Sequence, residues 1–180
     1  CFYFLMHFPS MILFLAWVMF RKVEWIPQVR ASICMATFMG LIIHLAFPLM
    51  PPRLLGSYGF IDTAKVFGPD PYSLGVAKAA NELAAMPSLH VGWALLIALA
   101  VIKIVKSPAR WLILLHPILT TIVVVITANH FWLDIVVGAV LAYVGWKIAS
   151  KYWPLKAFQP IEPLAENSAQ GETETQSIQN

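Results

Sequence analysis

The chain has 180 residues, 59% of them hydrophobic and 12% charged, with a mean hydropathy of +0.74 and a formal net charge of +3. A soluble domain carries about 25% charged and 45–50% apolar residues, so this composition excludes an ordinary soluble domain and specifies a membrane protein. The net charge is too small, and its basic residues too confined to the ends of apolar runs, to signal nucleic-acid binding; two cysteines, Cys1 and Cys34, give no disulfide framework.

Five apolar runs follow in chain order: Cys1 to Phe20, Ala31 to Met50, Leu83 to Ile102, Trp111 to Asn129, and Phe131 to Trp146. A span needs roughly 20 residues at about 1.5 Å of rise each. The expected fold is therefore an all-α, polytopic membrane helix bundle occupying residues 1–152. Residues 153–180 turn polar, with Glu162, Glu166, Glu172 and Glu174 among Ser, Thr, Gln and Asn, and read as a disordered tail. The chain begins at Cys1, inside an apolar run, with no cleavable signal pattern. Five spans would leave its ends on opposite sides, so a further helix is expected to precede the first.

Lys and Arg set the expected orientation. Arg21, Lys22 and Arg30 lie between the first two spans, Lys103, Lys106 and Arg110 between the third and fourth, and Lys147, Lys151 and Lys156 after the fifth. These segments hold nine of the twelve basic residues, which marks their side as cytoplasmic. The other side keeps Arg53, Lys65 and Lys78. Trp25, Trp111, Trp146 and Trp153 are expected in an inner aromatic belt, and Tyr58, Tyr72 and Trp132 in an outer one. The segment Pro51–Pro87 is then extracytoplasmic, rich in turn signals, with a short amphipathic helix expected near Ser73–Ala85. The protein is expected in the cell membrane as a multi-pass chain with a cytoplasmic C-terminal tail.

Two strings fall on the outer side: Met86-Pro87-Ser88-Leu89-His90 and His130-Phe131-Trp132-Leu133-Asp134. His130 and Asp134 are four apart at the start of a span and share a helix face. A carboxylate there can accept from one imidazole nitrogen and leave the lone pair of the other free to attack. An Asp facing lipid costs roughly 2.5–3.5 kcal/mol at mid-span, so Asp134 should face the bundle interior or water. His90 lies near the start of another span, where Pro87 suits a first helical turn and free N–H groups favour an anion. Ser88 adds a hydroxyl, and Arg53 adds a charged fork that matches phosphate oxygens in pairs. Together they form an anion cradle with a nucleophile and an acid, which is what phosphoryl transfer requires.

With these residues in place, the sequence resembles the type 2 phosphatidic acid phosphatase superfamily, and within it the inositol phosphorylceramide synthase-like branch. The matching residues are Pro51-Pro52-Arg53, Ala85 through His90, and Asn129 through Asp134, within a resemblance covering roughly Phe2 to Lys151. The resemblance implies a six-helix membrane core, which would make the missing helix the first, with its site at the extracytoplasmic face. It implies that His130 becomes phosphohistidine, Asp134 orients it, His90 protonates the leaving oxygen, and Arg53 and Ser88 hold the phosphoryl group. Water or an acceptor hydroxyl would then take the group on.

The chain departs from the phosphatase pattern at two places. Ala46 and Leu54 stand where the pattern has Lys and Pro around the arginine, and Val123 and Val124 stand where it has Ser and Arg before the nucleophilic histidine. Two of three phosphate-binding cations are thus absent, which favours a phosphodiester with one negative charge over a monoester dianion. His44, His7 and Asn129 are candidate substrate contacts; His116 is expected to be structural, and Asp62 and Glu82 are outer carboxylates. No cofactor or metal is expected, and the expected partners are a lipid phosphate or phospholipid substrate and membrane lipids. Two rival readings use the same residues: a metal-dependent membrane hydrolase, with zinc or iron on the His/Asp cluster, and a non-catalytic scaffold in which His130–Asp134 only ties helices.

Overall fold

A computed structural model describes residues 2–61, 66 and 85–155, with side chains from His7 onward. Among these residues there are five α-helices: α1 (Phe2–Arg21), α2 (Ile26–Ala46), α3 (Leu89–Ile104), α4 (Leu115–Ile126) and α5 (Trp132–Tyr152). Short 3₁₀ turns precede α2 (Val23–Trp25), follow it (Pro52–Leu54 and Gly56–Tyr58), and lead into α4 (Pro108–Leu114). The expected amphipathic helix near Ser73 and the tail beyond Leu155 lie outside the described residues.

The all-α membrane bundle is what the composition predicts. Three apolar stretches are long enough to cross a membrane: Val23–Ala46, Pro108–Ile126 and Trp132–Tyr152. The third expected span is shorter, because α3 begins only at Leu89 and runs for 16 residues. Pro87 consequently precedes the helix instead of sitting in its first turn, and Ser88 takes the N-cap position. The second span starts earlier than its uncharged core suggests, since Pro27 occupies the opening of α2 and tolerates a helix start. The fifth continues to Tyr152, six residues past Trp146.

Small residues explain how tightly the helices approach. α5 packs against both α2 and α3. A Cβ on Gly138 would lie 2.3 Å from the Ser88 carbonyl oxygen, and one on Gly92 would lie 3.0 Å from that of Gly138. With no hydrophobic drive between helices inside lipid, such close backbone contact supplies the packing energy. At the other end of the bundle, Gln28 Nε2 donates to Ser150 Oγ at 2.7 Å, tying the start of α2 to the end of α5. Trp146 is buried in the core between these helices, with Phe14, Val18, Val29 and Ile104 in the same cluster. It is therefore a packing residue and not a member of an interfacial belt, whereas Trp111 and Trp132 are exposed.

The two histidine motifs open α3 and α5, while Arg21, Lys103, Lys147 and Lys151 occur near the C-terminal ends of α1, α3 and α5. These four basic residues thus fall at the end of the bundle opposite the motifs. Gly138→Ala is expected to lower the unfolding free energy by ~1–3 kcal/mol, because a backbone oxygen and not a flexible side chain must move. Thermal unfolding in detergent, with Gly56→Ala as a control at a position open to 4 Å, measures it.

Candidate active site

The site is built where three chain segments meet. α4 ends in a tight turn at Ala128, whose φ of 52° places it in the left-handed region. The Val124 carbonyl accepts from the Asn129 N–H at 3.0 Å and the His130 N–H at 3.3 Å, closing the helix end. α5 then starts at Trp132, and Asp134, its third residue, reaches back to accept from the Phe131 N–H at 2.8 Å. Backbone hydrogen bonds fasten the other two segments to this turn. The Arg53 N–H donates to the Ala128 carbonyl at 2.8 Å, the Ser88 N–H to the Asp134 carbonyl at 2.9 Å, and the Ala85 N–H to the Leu49 carbonyl at 3.1 Å.

This frame brings together His130, Asp134, His90, Arg53 and Ser88, the five residues to which the sequence assigns chemistry. Asp134 and Ser88 are wholly buried, and His130 and Arg53 nearly so. The His130 and His90 ring centroids are 6.0 Å apart.

The partner that orients His130 differs from expectation. Its Nδ1 lies 2.7 Å from the Ala85 carbonyl oxygen, whereas Asp134 Oδ2 is 3.7 Å from the same nitrogen. The hydrogen bond therefore goes to the backbone, and Asp134 contributes a nearby negative charge while its Oδ2 caps α5. A carbonyl oxygen only accepts, so Nδ1 carries the proton and Nε2 holds the lone pair. Sequence reasoning had no signal for this contact, because a backbone carbonyl has no residue type.

One of the candidate contacts, His7, reaches the site as well. His44 stands in the last turn of α2, with Nδ1 buried and without a hydrogen-bond partner among the described residues. His7 is buried, with its ring centroid 4.3 Å from that of His90 and stacked at 13° against Trp93. Asn129 is turned inward instead: its amide nitrogen donates to Thr127 Oγ1 at 2.7 Å, and Thr127 Oγ1 donates to the Val123 carbonyl at 2.6 Å. These two residues build the turn. His116 lies away from the motifs, with Nε2 3.3 Å from Ser10 Oγ, linking α4 to α1. Asp62 and Glu82 fall outside the described residues. Among the described residues, no three His, Cys, Asp or Glu side chains are placed to hold a metal ion.

Ser88 Oγ and Asp134 Oδ1 are buried without a hydrogen-bond partner among the described residues. Buried polar atoms are ordinarily satisfied, so two such atoms beside an oriented imidazole mark a place built to receive a polar group.

Residues 1–148 match the PAP2 superfamily. No curated protein and no solved structure matches the chain. Nitrogen NMR of labelled histidine in the detergent-solubilised protein checks the His130 geometry. For the neutral ring the expected spectrum has Nδ1 protonated and Nε2 unprotonated; the reverse tautomer would contradict the Ala85 hydrogen bond.

Proposed function

The chain belongs to the PAP2 superfamily, and from that premise we propose that it is an integral-membrane phosphoryl-transfer enzyme acting on a lipid phosphodiester through a phosphohistidine at His130. Membership alone suggests a lipid phosphatase or phosphotransferase. The observation that supports the phosphohistidine reading is the 2.7 Å contact between His130 Nδ1 and the Ala85 carbonyl, which leaves the Nε2 lone pair available for nucleophilic attack.

In the first half-reaction His130 Nε2 attacks phosphorus. The bond from phosphorus to the leaving oxygen breaks, and that oxygen takes a proton from His90. Arg53 and the Ser88 hydroxyl stabilise the charge that builds on the non-bridging oxygens. In the second half-reaction a water or acceptor hydroxyl attacks phosphorus, gives its proton to His90, and breaks the P–N bond. Asp134, 3.7 Å from Nδ1, stabilises the ring as positive charge develops on it. The site lies at the bundle end opposite Arg21, Lys103, Lys147 and Lys151, which supports an extracytoplasmic active site.

The grip on phosphate supports a diester. Residues 46–59, 85–90 and 123–134 contain one Lys or Arg, which is Arg53. Val124, where the phosphatase pattern has Arg, is fully buried and serves the turn through its backbone. One cation balances a diester monoanion better than a monoester dianion, in line with the inositol phosphorylceramide synthase-like branch.

The test is a turnover panel: purified protein with phosphatidylinositol, phosphatidylcholine and phosphatidic acid, each with and without an alcohol acceptor. The expected result is cleavage or transfer of at least one diester in preference to phosphatidic acid. His130→Ala is expected to lower turnover by ~10³-fold or more with expression intact. Phosphate release from phosphatidic acid alone would overturn the diester assignment, and full activity of His130→Ala would overturn the enzyme itself.

A further inference from the structure

We infer that the outward face of α5, at the end away from the histidine motifs, binds an anionic phospholipid by its phosphate, between Lys147 and Lys151. The site is separate from the catalytic one. Lys147 comes 13 residues after Asp134 on the same helix, about 20 Å along its axis. The inference stands whether or not the phosphoryl-transfer proposal does.

Charge at this end is unbalanced. Residues 21–30, 103–110 and 147–151 hold three, three and two Lys or Arg, against one carboxylate, Glu24. Glu24 sits in the turn between α1 and α2, so α5 itself brings two cations and no acid to this end. Clusters of Lys and Arg beside a span attract anionic lipid headgroups.

The placement of the two lysines is the informative point. α5 buries Asp134, Gly138, Ala142, Gly145 and Ala149. Tyr143, Lys147 and Lys151, spaced by four, form a stripe on the opposite face, beside the exposed Val136, Val140 and Val144. That face looks into lipid. A lysine there is costly unless its head reaches the polar interface, and two like charges four apart on a helix repel. A phosphate between the ammonium groups removes the repulsion and accepts a charge-assisted hydrogen bond from each. Lys147 Nζ lies 5.9 Å from the centre of the Tyr143 ring, and Lys151 Nζ 5.3 Å from that of Tyr152. Each ring holds its ammonium at interface depth, and three N–H donors leave others for an anion. A topological role asks only that positive charge lie on one side; it does not ask for two lysines on one lipid-facing stripe, each over a ring.

The test is native mass spectrometry of the full-length protein in detergent, titrated with phosphatidylglycerol and with phosphatidylcholine of the same acyl chains. Phosphatidylglycerol is expected to be retained in preference. In Lys147→Gln/Lys151→Gln its affinity is expected to fall ~10-fold or more. Lys147→Arg/Lys151→Arg, which keeps both charges, is expected to stay within about threefold of wild type. Lys103→Gln/Lys106→Gln removes the same net charge from the same end and is expected to stay within about twofold.

Equal retention of the two lipids by wild type would overturn the inference. So would equal weakening by the two Lys→Gln pairs, which is the signature of diffuse attraction. Loss of the bound phosphatidylglycerol in Arg53→Ala but not in Lys147→Gln/Lys151→Gln would place that lipid in the catalytic site, and would also overturn it. Failure of the phosphoryl-transfer proposal is seen separately, in the turnover panel.

Discussion

The hydrogen bond between His130 and the Ala85 carbonyl is the constraint on which the rest of the site depends. It fixes which imidazole nitrogen is free, and it holds the segment before α3 against the turn before α5. The same segment is tied to Leu49 through the Ala85 N–H, and Arg53, four residues beyond Leu49, is tied to Ala128 through its own N–H. Three pieces of chain far apart in sequence are thus joined by bonds to the backbone. That choice suits a site inside an apolar bundle, where an unsatisfied backbone group costs several kcal/mol.

This arrangement depends in turn on glycine. Ser88 can bond to the Asp134 carbonyl because Gly138, one turn further along α5, lets the Ser88 carbonyl come within the space of a missing Cβ. Packing and chemistry are therefore set by the same contact. A bulkier residue at 138 would push α3 away from α5 and carry Ser88 and His90 with it. The buried charge of Asp134 is tolerated because one oxygen caps α5 at the Phe131 N–H while His130 stands nearby. Among the described residues its other oxygen and the Ser88 hydroxyl have no hydrogen-bond partner, a local departure from full satisfaction of the kind expected at functional sites.

Much of this was legible in the sequence for physical reasons. Long apolar runs have few alternatives to helices, so the all-α bundle follows from hydropathy. The i, i+4 spacing of His130 and Asp134 puts them on one face, and the unusual presence of Arg, Asp and His near span ends marks a polar site. What was not legible depends on backbone detail or long-range packing. The start of α3 at Leu89 reflects the bonding of Ser88 to α5, which no local pattern encodes. Trp146 looked like an interfacial anchor but is buried, because Gly145 beside it lets α2 approach to the Ser32 carbonyl and Ala36. The place of His7 beside His90 needs α1 to pack on α3, which periodicity alone does not specify.

The central claim is that Ala85 holds the Nδ1 proton and so leaves Nε2 to do chemistry. The most direct measurement is to quench the enzyme during turnover of a phosphorus-labelled substrate and locate the phosphate by phosphorus NMR and peptide mapping. Phosphate on Nε2 of His130 is the predicted result. Phosphate on Nδ1 of His130, or on a different residue, would contradict the claim.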